Sequence, residues 1–222
     1  LVLVAVVAFA AFFTLSAFAP ELSSGHDGRA HALSNSAVGF AGIVRLARAE
    51  GDDVRVGRTI GDVNRRVSLV VLTFENPITE RELTEASGAS TLIVLPKWAV
   101  GPHPTRRGWV TSAGVYDAEA YGQLLQEITP GLAVSRLSDA STPQLMLGPK
   151  PLARAGVIDQ LQTISGPKLT PVIADEKGRA ILVSVSRNSE FPLYILSDPD
   201  FLNTQGIRNL ATARAGLAML DY

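Results

Sequence analysis

The stretch Val67-Ser68-Leu69-Val70-Val71-Leu72-Thr73, answered by Thr91-Leu92-Ile93-Val94-Leu95, decides the fold class. Each is a short apolar run, the pattern of a strand covered on both faces. Between them Pro77 and Thr79 open a predicted helix, Thr79 and Glu82 stand at capping-box spacing, and Gly88 closes it. Strand, short helix and strand make a βαβ unit, which implies parallel strands.

Working outward toward the N-terminus, Ser34 or Asn35 caps a predicted helix over residues 37–50, with Phe40, Ile43, Val44 and Ala47 on one face and Gly51 as its stop. A strand is predicted at 53–56. Toward the C-terminus, residues 97–114 carry Gly101, Pro102, Pro104, Gly108 and Gly114, and read as a long loop leaving the carboxyl end of a core strand. Asp117 caps a helix to Ile128, and short strands follow at 134–137, 144–147, 161–164, 171–174 and 180–186, the last two joined at Lys177-Gly178. A buried strand at 193–196, the turn Ser197-Asp198-Pro199-Asp200 and a final helix from Thr204 to Leu220 complete the chain. The expected fold is α/β, a mainly parallel sheet flanked by helices, with the short middle strands as an antiparallel insertion or edge.

Residues 1–19 form one apolar run, with only Thr14 and Ser16 as polar intruders, and a helix of that length spans about 28 Å. This predicts a transmembrane anchor. A cleaved signal is the rival, because Ala17-Phe18-Ala19 has small-x-small form. The run exceeds the usual signal core of about 7–15 residues, and Pro20 would follow the cut. Residues 20–33 are a predicted linker, basic-poor until Arg29, which fits the non-cytoplasmic side. Residues 34–222 are then an extracytoplasmic domain, with the inner membrane as its first partner.

The chain of 222 residues is 46% hydrophobic and 18% charged, which excludes a disordered protein and leaves room for a large core. A net charge of -1 offers no field for nucleic acid. There is no cysteine, so disulfides, thiolate nucleophiles and Cys-ligated metals are excluded. P-loop, G-x-S-x-G and H-E-x-x-H motifs are absent, and Gly166 and Pro167 keep Ser165-x-x-Lys168 from forming the helical turn such a pair needs.

In α/β sheets ligands bind beyond the carboxyl ends of the strands, which here are Lys97-Trp98 and the segment from Asp198 to Asn203. Lys97 and Trp98 offer a cation and a flat apolar face. Asp198 and Asp200, two apart after a core strand, could hold a metal or act as base, although Asp-Pro-Asp also shapes turns and Asp200 or Asn203 could cap the final helix. Ser34-Asn35, at a helix start, could meet an anion. His26 and His31 belong to a solvated linker, and His103 has no sequence-adjacent acid. No cofactor or metal is expected.

Residues 194–207, Tyr-Ile-Leu-Ser-Asp-Pro-Asp-Phe-Leu-Asn-Thr-Gln-Gly-Ile, resemble the closing motif of the bacterial domain of unknown function 4350 family. Ser34-Asn35 before a helix ending in Ala49-Glu50-Gly51 also fits that family. The resemblance implies a membrane helix, an extracytoplasmic domain similar to class I glutamine-amidotransferase-like folds, and a second membrane helix. Two departures stand out. Where the family has Asp-Asn-Ala, this chain has Arg208-Asn209-Leu210-Ala211, and no second apolar run precedes Tyr222, so the chain reads as a fragment. Without the nucleophilic Cys of true amidotransferases, the expected role is a noncatalytic periplasmic binding or assembly domain with a protein partner. A metal-dependent hydrolase at the Asp198/Asp200 turn is the alternative.

Overall fold

The computed structural model describes residues 28–57, 69–73, 88–125 and 128–222. The apolar run at 1–19, most of the linker and the helix expected between Pro77 and Gly88 lie outside those residues. No helix among the described residues is long and apolar enough to cross a membrane.

In chain order the elements are α1 (Ala41–Glu50), β1 (Leu69–Thr73), β2 (Ser90–Val94), β3 (Trp98–Pro102), β4 (Val110–Val115) and α2 (Ala118–Leu125). There follow β5 (Ala133–Arg136), β6 (Gln144–Leu147), β7 (Lys150–Arg154), β8 (Gln162–Ser165), β9 (Leu169–Ala174), β10 (Ala180–Val185) and β11 (Leu193–Leu196). Two 3-10 turns, Pro199–Phe201 and Gly206–Arg208, lead into α3 (Leu210–Leu220).

Strands β1 and β2 stand at the two decisive apolar runs and pair in parallel, Leu69 opposite Ser90 and Thr73 opposite Val94. Strand β11 lies parallel on the other side of β2. There the parallel part ends. The seven-stranded sheet has the order β1-β2-β11-β10-β9-β6-β7, and every pairing from β11 to β7 is antiparallel.

The expected mainly parallel, helix-flanked sheet of amidotransferase-like form is therefore incorrect. The described chain is mostly β, with eleven strands in mixed sheets and short helices. The cause is local. Residues 144–154 and 169–185 each fold as a hairpin, β6–β7 turning at Gly148 (φ 57) and β9–β10 at Gly178 (φ 77), and hairpins impose antiparallel pairing. Their strands extend the main sheet instead of standing apart as an insertion.

Side-chain alternation divides the core. Leu92, Val94 and Leu196 face one cluster with Ile173, Phe201, Ala215 and Met219, so α3 and the turn before it cover that face, and Phe40 and Ile43 at α1 join them. Ile93, Leu95, Leu193 and Ile195 face the other, with Tyr121 and Leu125 of α2, Val134 of β5 and Ile164 of β8. The second face is thus covered by α2 together with a two-stranded β5–β8 sheet, not by helices alone.

Two further expectations change. Residues 97–114 are not a loop. They contain most of the β3–β4 hairpin, Trp98 opposite Val115, whose prolines and glycines masked its strand character. Residues 52–57 are not a strand, and the Val54 carbonyl accepts from Arg48 Nε and Nη2 at 3.1 and 2.9 Å.

Candidate functional site

The chain leaves β2 through Pro96 into Lys97 and leaves β11 through Ser197 into Asp198. Because these strands are parallel neighbours, both exits occur at the same end of the sheet. There Lys97, which is 1% exposed, sends its ammonium inward. Nζ donates to Asp198 Oδ2 at 2.8 Å, to Asp200 Oδ2 at 2.7 Å and to the Asp159 carbonyl at 2.6 Å. An ammonium has three donors, and all three are used.

The carboxylates are equally engaged. Asp198 Oδ2 also accepts from the Gln162 amide at 2.8 Å, and Oδ1 from the Asp200 amide at 3.0 Å, which caps the turn Pro199–Phe201. Asp200 Oδ1 accepts from Trp98 Nε1 at 2.8 Å and from Asn203 Nδ2 at 2.7 Å. Asn203 Oδ1 in turn accepts from the Gly206 amide at 2.8 Å. The expected capping of the final helix by Asp200 or Asn203 is thus corrected. Asn209 caps α3, accepting from the Ala211 and Thr212 amides, while Asp198 and Asn203 serve the turns before it.

A second ring of polar groups, unmarked by any motif, supports the first. Gln162 Nε2 donates to the Ser197 carbonyl at 2.5 Å and to the Pro96 carbonyl at 3.2 Å, while its Oε1 accepts from Arg136 Nε at 2.7 Å. Tyr121 donates to the Pro96 carbonyl at 2.6 Å, and its oxygen accepts from Arg136 Nη2 at 2.8 Å. Ser197 Oγ lies within donating distance of the Gln162 and Ile181 carbonyls at 2.7 and 3.0 Å. Gln162 sits in a strand otherwise read for its apolar residues. Its only sequence signal is an amide between Leu161 and Thr163.

One ammonium and two carboxylates leave the cluster a net negative charge away from water. Burial raises the Asp198 carboxyl to about 6, with the Asp200 carboxylate adding to the rise and Lys97 opposing it. The Tyr121 hydroxyl is also raised, chiefly by burial, against the pull of Arg136.

Chemically, this is a filled site. The ammonium occupies the position between the carboxylates where a metal would sit, and each of the four carboxylate oxygens already accepts at least one hydrogen bond from the protein. Among the described residues no three His, Asp or Glu side chains are placed to hold a metal. An open groove of about 430 Å³ lies elsewhere, between the β5–β8 pair and the β9–β10 hairpin. Arg179 on its rim is ion-paired with Asp175.

The comparisons with known proteins name no family. No protein-family model matches the chain, and no curated protein does. Among solved structures, the mmIFT52 N-terminal domain is similar to it at 14% identity and a TM-score of 0.46, over 80% of this chain and 87% of that one. Likeness at that level carries no statement about role.

Five of the seven candidate residues thus converge in one place, Lys97, Trp98, Asp198, Asp200 and Asn203. Ser34 and Asn35 do not join them as an anion site. Helix α1 starts only at Ala41, with Phe40 as its N-cap and no side-chain cap, and three amides at its entry are already used. Gly39, Phe40 and Ala41 donate to the Ser36, His31 and Ser34 carbonyls at 3.1, 3.0 and 3.1 Å. Ser34 is fully buried, its hydroxyl donating to Ser36 Oγ at 3.0 Å, while Asn35 is exposed.

Proposed function

We propose that this chain is a noncatalytic, membrane-anchored domain that binds or assembles with a protein partner. The observation supporting this is the engagement of every carboxylate oxygen of Asp198 and Asp200 by Lys97, Trp98, Asn203 and backbone amides. A hydrolytic site needs an open position for water or substrate, and here the cation between the carboxylates belongs to the protein. The cluster instead acts as a clamp. It ties the base of the β3–β4 hairpin to the turn that leads into α3.

The apolar run at 1–19 supports placing the domain at a bacterial inner membrane, facing the periplasm. Partner contact then falls to exposed apolar side chains. Val157 and Leu210 are 64% and 65% exposed, and their chain neighbours Gly156 and Asn209 pack together, so that a methyl group at Gly156 would stand 2.3 Å from Asn209 Cγ.

The test is purification of the full chain from its native membranes, with metal content and protein neighbours both measured. The expected result is a protein neighbour reduced about tenfold by Val157→Asp/Leu210→Asp, and magnesium, manganese and zinc uptake unchanged by Asp198→Asn. Recovery of no neighbour would end the binding reading. Metal held by the wild type and lost in Asp198→Asn would restore the hydrolase.

A further inference from the structure

We infer that the β3–β4 hairpin is a membrane-surface contact, with Trp109 seated at headgroup level and Arg106 and Arg107 facing anionic lipid phosphates. Three observations meet at its tip. The first is side-chain chemistry. Trp109 is 57% exposed, the Arg106 guanidinium stacks 4.9 Å from its ring centroid, and Arg107 beside it is exposed. Aromatic rings with arginine at the rim are the side chains that favour a bilayer interface.

The second is charge. Between Lys97 and Tyr116 there is no Asp or Glu, and Lys97 is turned inward, so the exposed ions of the hairpin are both cationic. A protein with a net charge of -1 therefore presents one locally basic projection.

The third is position. Gly28 lies against the tip, where a methyl group in place of its hydrogen would stand 3.0 Å from Val110 Cγ1 and 3.9 Å from the Trp109 carbonyl. Only eight residues, nine chain steps, separate it from Ala19, the last of the apolar run. Even fully extended they reach about 30 Å. A chain entering a bilayer at residue 19 therefore keeps this basic, Trp-bearing tip within about 30 Å of that entry point, inside reach of the headgroups, and Arg29 follows directly.

The tip is shaped before it meets lipid. His103 Nδ1 accepts from the Thr105 and Arg106 amides at 3.2 Å each, and the His103 amide donates to the Trp109 carbonyl at 2.9 Å. At the other end Lys97 and Trp98 fix the base to buried carboxylates, so the hairpin orients the domain as well as touching the surface.

The inference rests on the proposed anchoring by residues 1–19, and the experiment separates the two. The full chain is reconstituted into bilayer discs whose lipids are brominated below the headgroup, with or without phosphatidylglycerol. Tryptophan quenching is compared with that of Trp109→Phe, which leaves Trp98 as the reference. The expected result is quenching specific to Trp109, stronger in anionic discs. In Arg106→Gln/Arg107→Gln the ratio of docked to free tip falls about 30-fold.

Failure of the chain to enter neutral discs at all would defeat the anchor reading, and the inference with it. Entry without Trp109-specific quenching would overturn the inference alone. So would loss of a co-purifying protein in Trp109→Ser without any lipid signal, which would assign the tip to a protein partner.

Discussion

Lys97 is the residue on which the site turns. A lysine at a strand end is ordinarily solvated, yet here its ammonium is surrounded by three oxygens between 2.6 and 2.8 Å. Asp198 reports on that environment through its raised affinity for a proton. In the folded chain its carboxyl is held at about 6, against 3.8 for an exposed one. Between those values the folded chain keeps a proton that the unfolded chain has released. Stability from this group is therefore present below pH 4, declines as pH rises through 6 and is level above that, a span on the order of 3 kcal/mol. The groups facing Asp198 are Lys97, Asp200 and Tyr121. Urea unfolding between pH 4 and 7 is expected to show this downward slope in the wild type and to lose it in Asp198→Asn. Equal slopes would count against it.

The candidate residues were legible because Lys97-Trp98 and Asp198 each follow an apolar run that reads as a buried strand. Their union was not, since Lys97 and Asp198 are 101 positions apart and only the parallel β2–β11 pairing joins them. Nor could the sequence show which groups would fill the crevice. A carboxylate pair reads alike whether it awaits a metal or already holds an ammonium.

At the scale of elements, the turn between β11 and α3 couples the cluster to the helix. Gly206, whose amide is held by Asn203, backs so closely onto the chain that a methyl group there would stand 1.6 Å from the Asp200 carbonyl oxygen. Gly206→Ala is expected to cost about 3 kcal/mol in denaturant unfolding, because backbone and not a flexible side chain must move. Gly88→Ala, which meets nothing within 4 Å, is the control and should change stability by less than about 0.5 kcal/mol. Equal effects would contradict the packing described. The β3–β4 hairpin shows where element prediction fails. Proline and glycine mark turns in most sequences, but a two-stranded arm outside the main sheet can carry Pro102 at the end of a strand and Gly114 at a φ of 116.

Across the whole molecule, the apolar runs located the sheet's core strands, while their directions depended on connections that composition does not encode. The runs that became β1, β2 and β11 are parallel. Short strands joined by the tight turns at Gly148 and Gly178 had to be antiparallel, and their order β10-β9-β6-β7 carries them outward from β11. Burial on both faces explains why so many strands read alike, for Ile93, Ile181 and Ile195 have no exposed surface at all.

A cluster that acts as a clamp holds the hairpin arm in place, and hydrogen exchange tests that most directly. In Trp98→Phe the arm loses its 2.8 Å bond to Asp200 while the ammonium and both carboxylates remain. The hairpin amides of His103 and Tyr116, bonded to Trp109 and Lys97, should then exchange about tenfold faster or more. Those of Leu95 and Ser197 inside the sheet should keep their rates. Unchanged exchange in the arm, or equal acceleration throughout the sheet, would contradict the clamp.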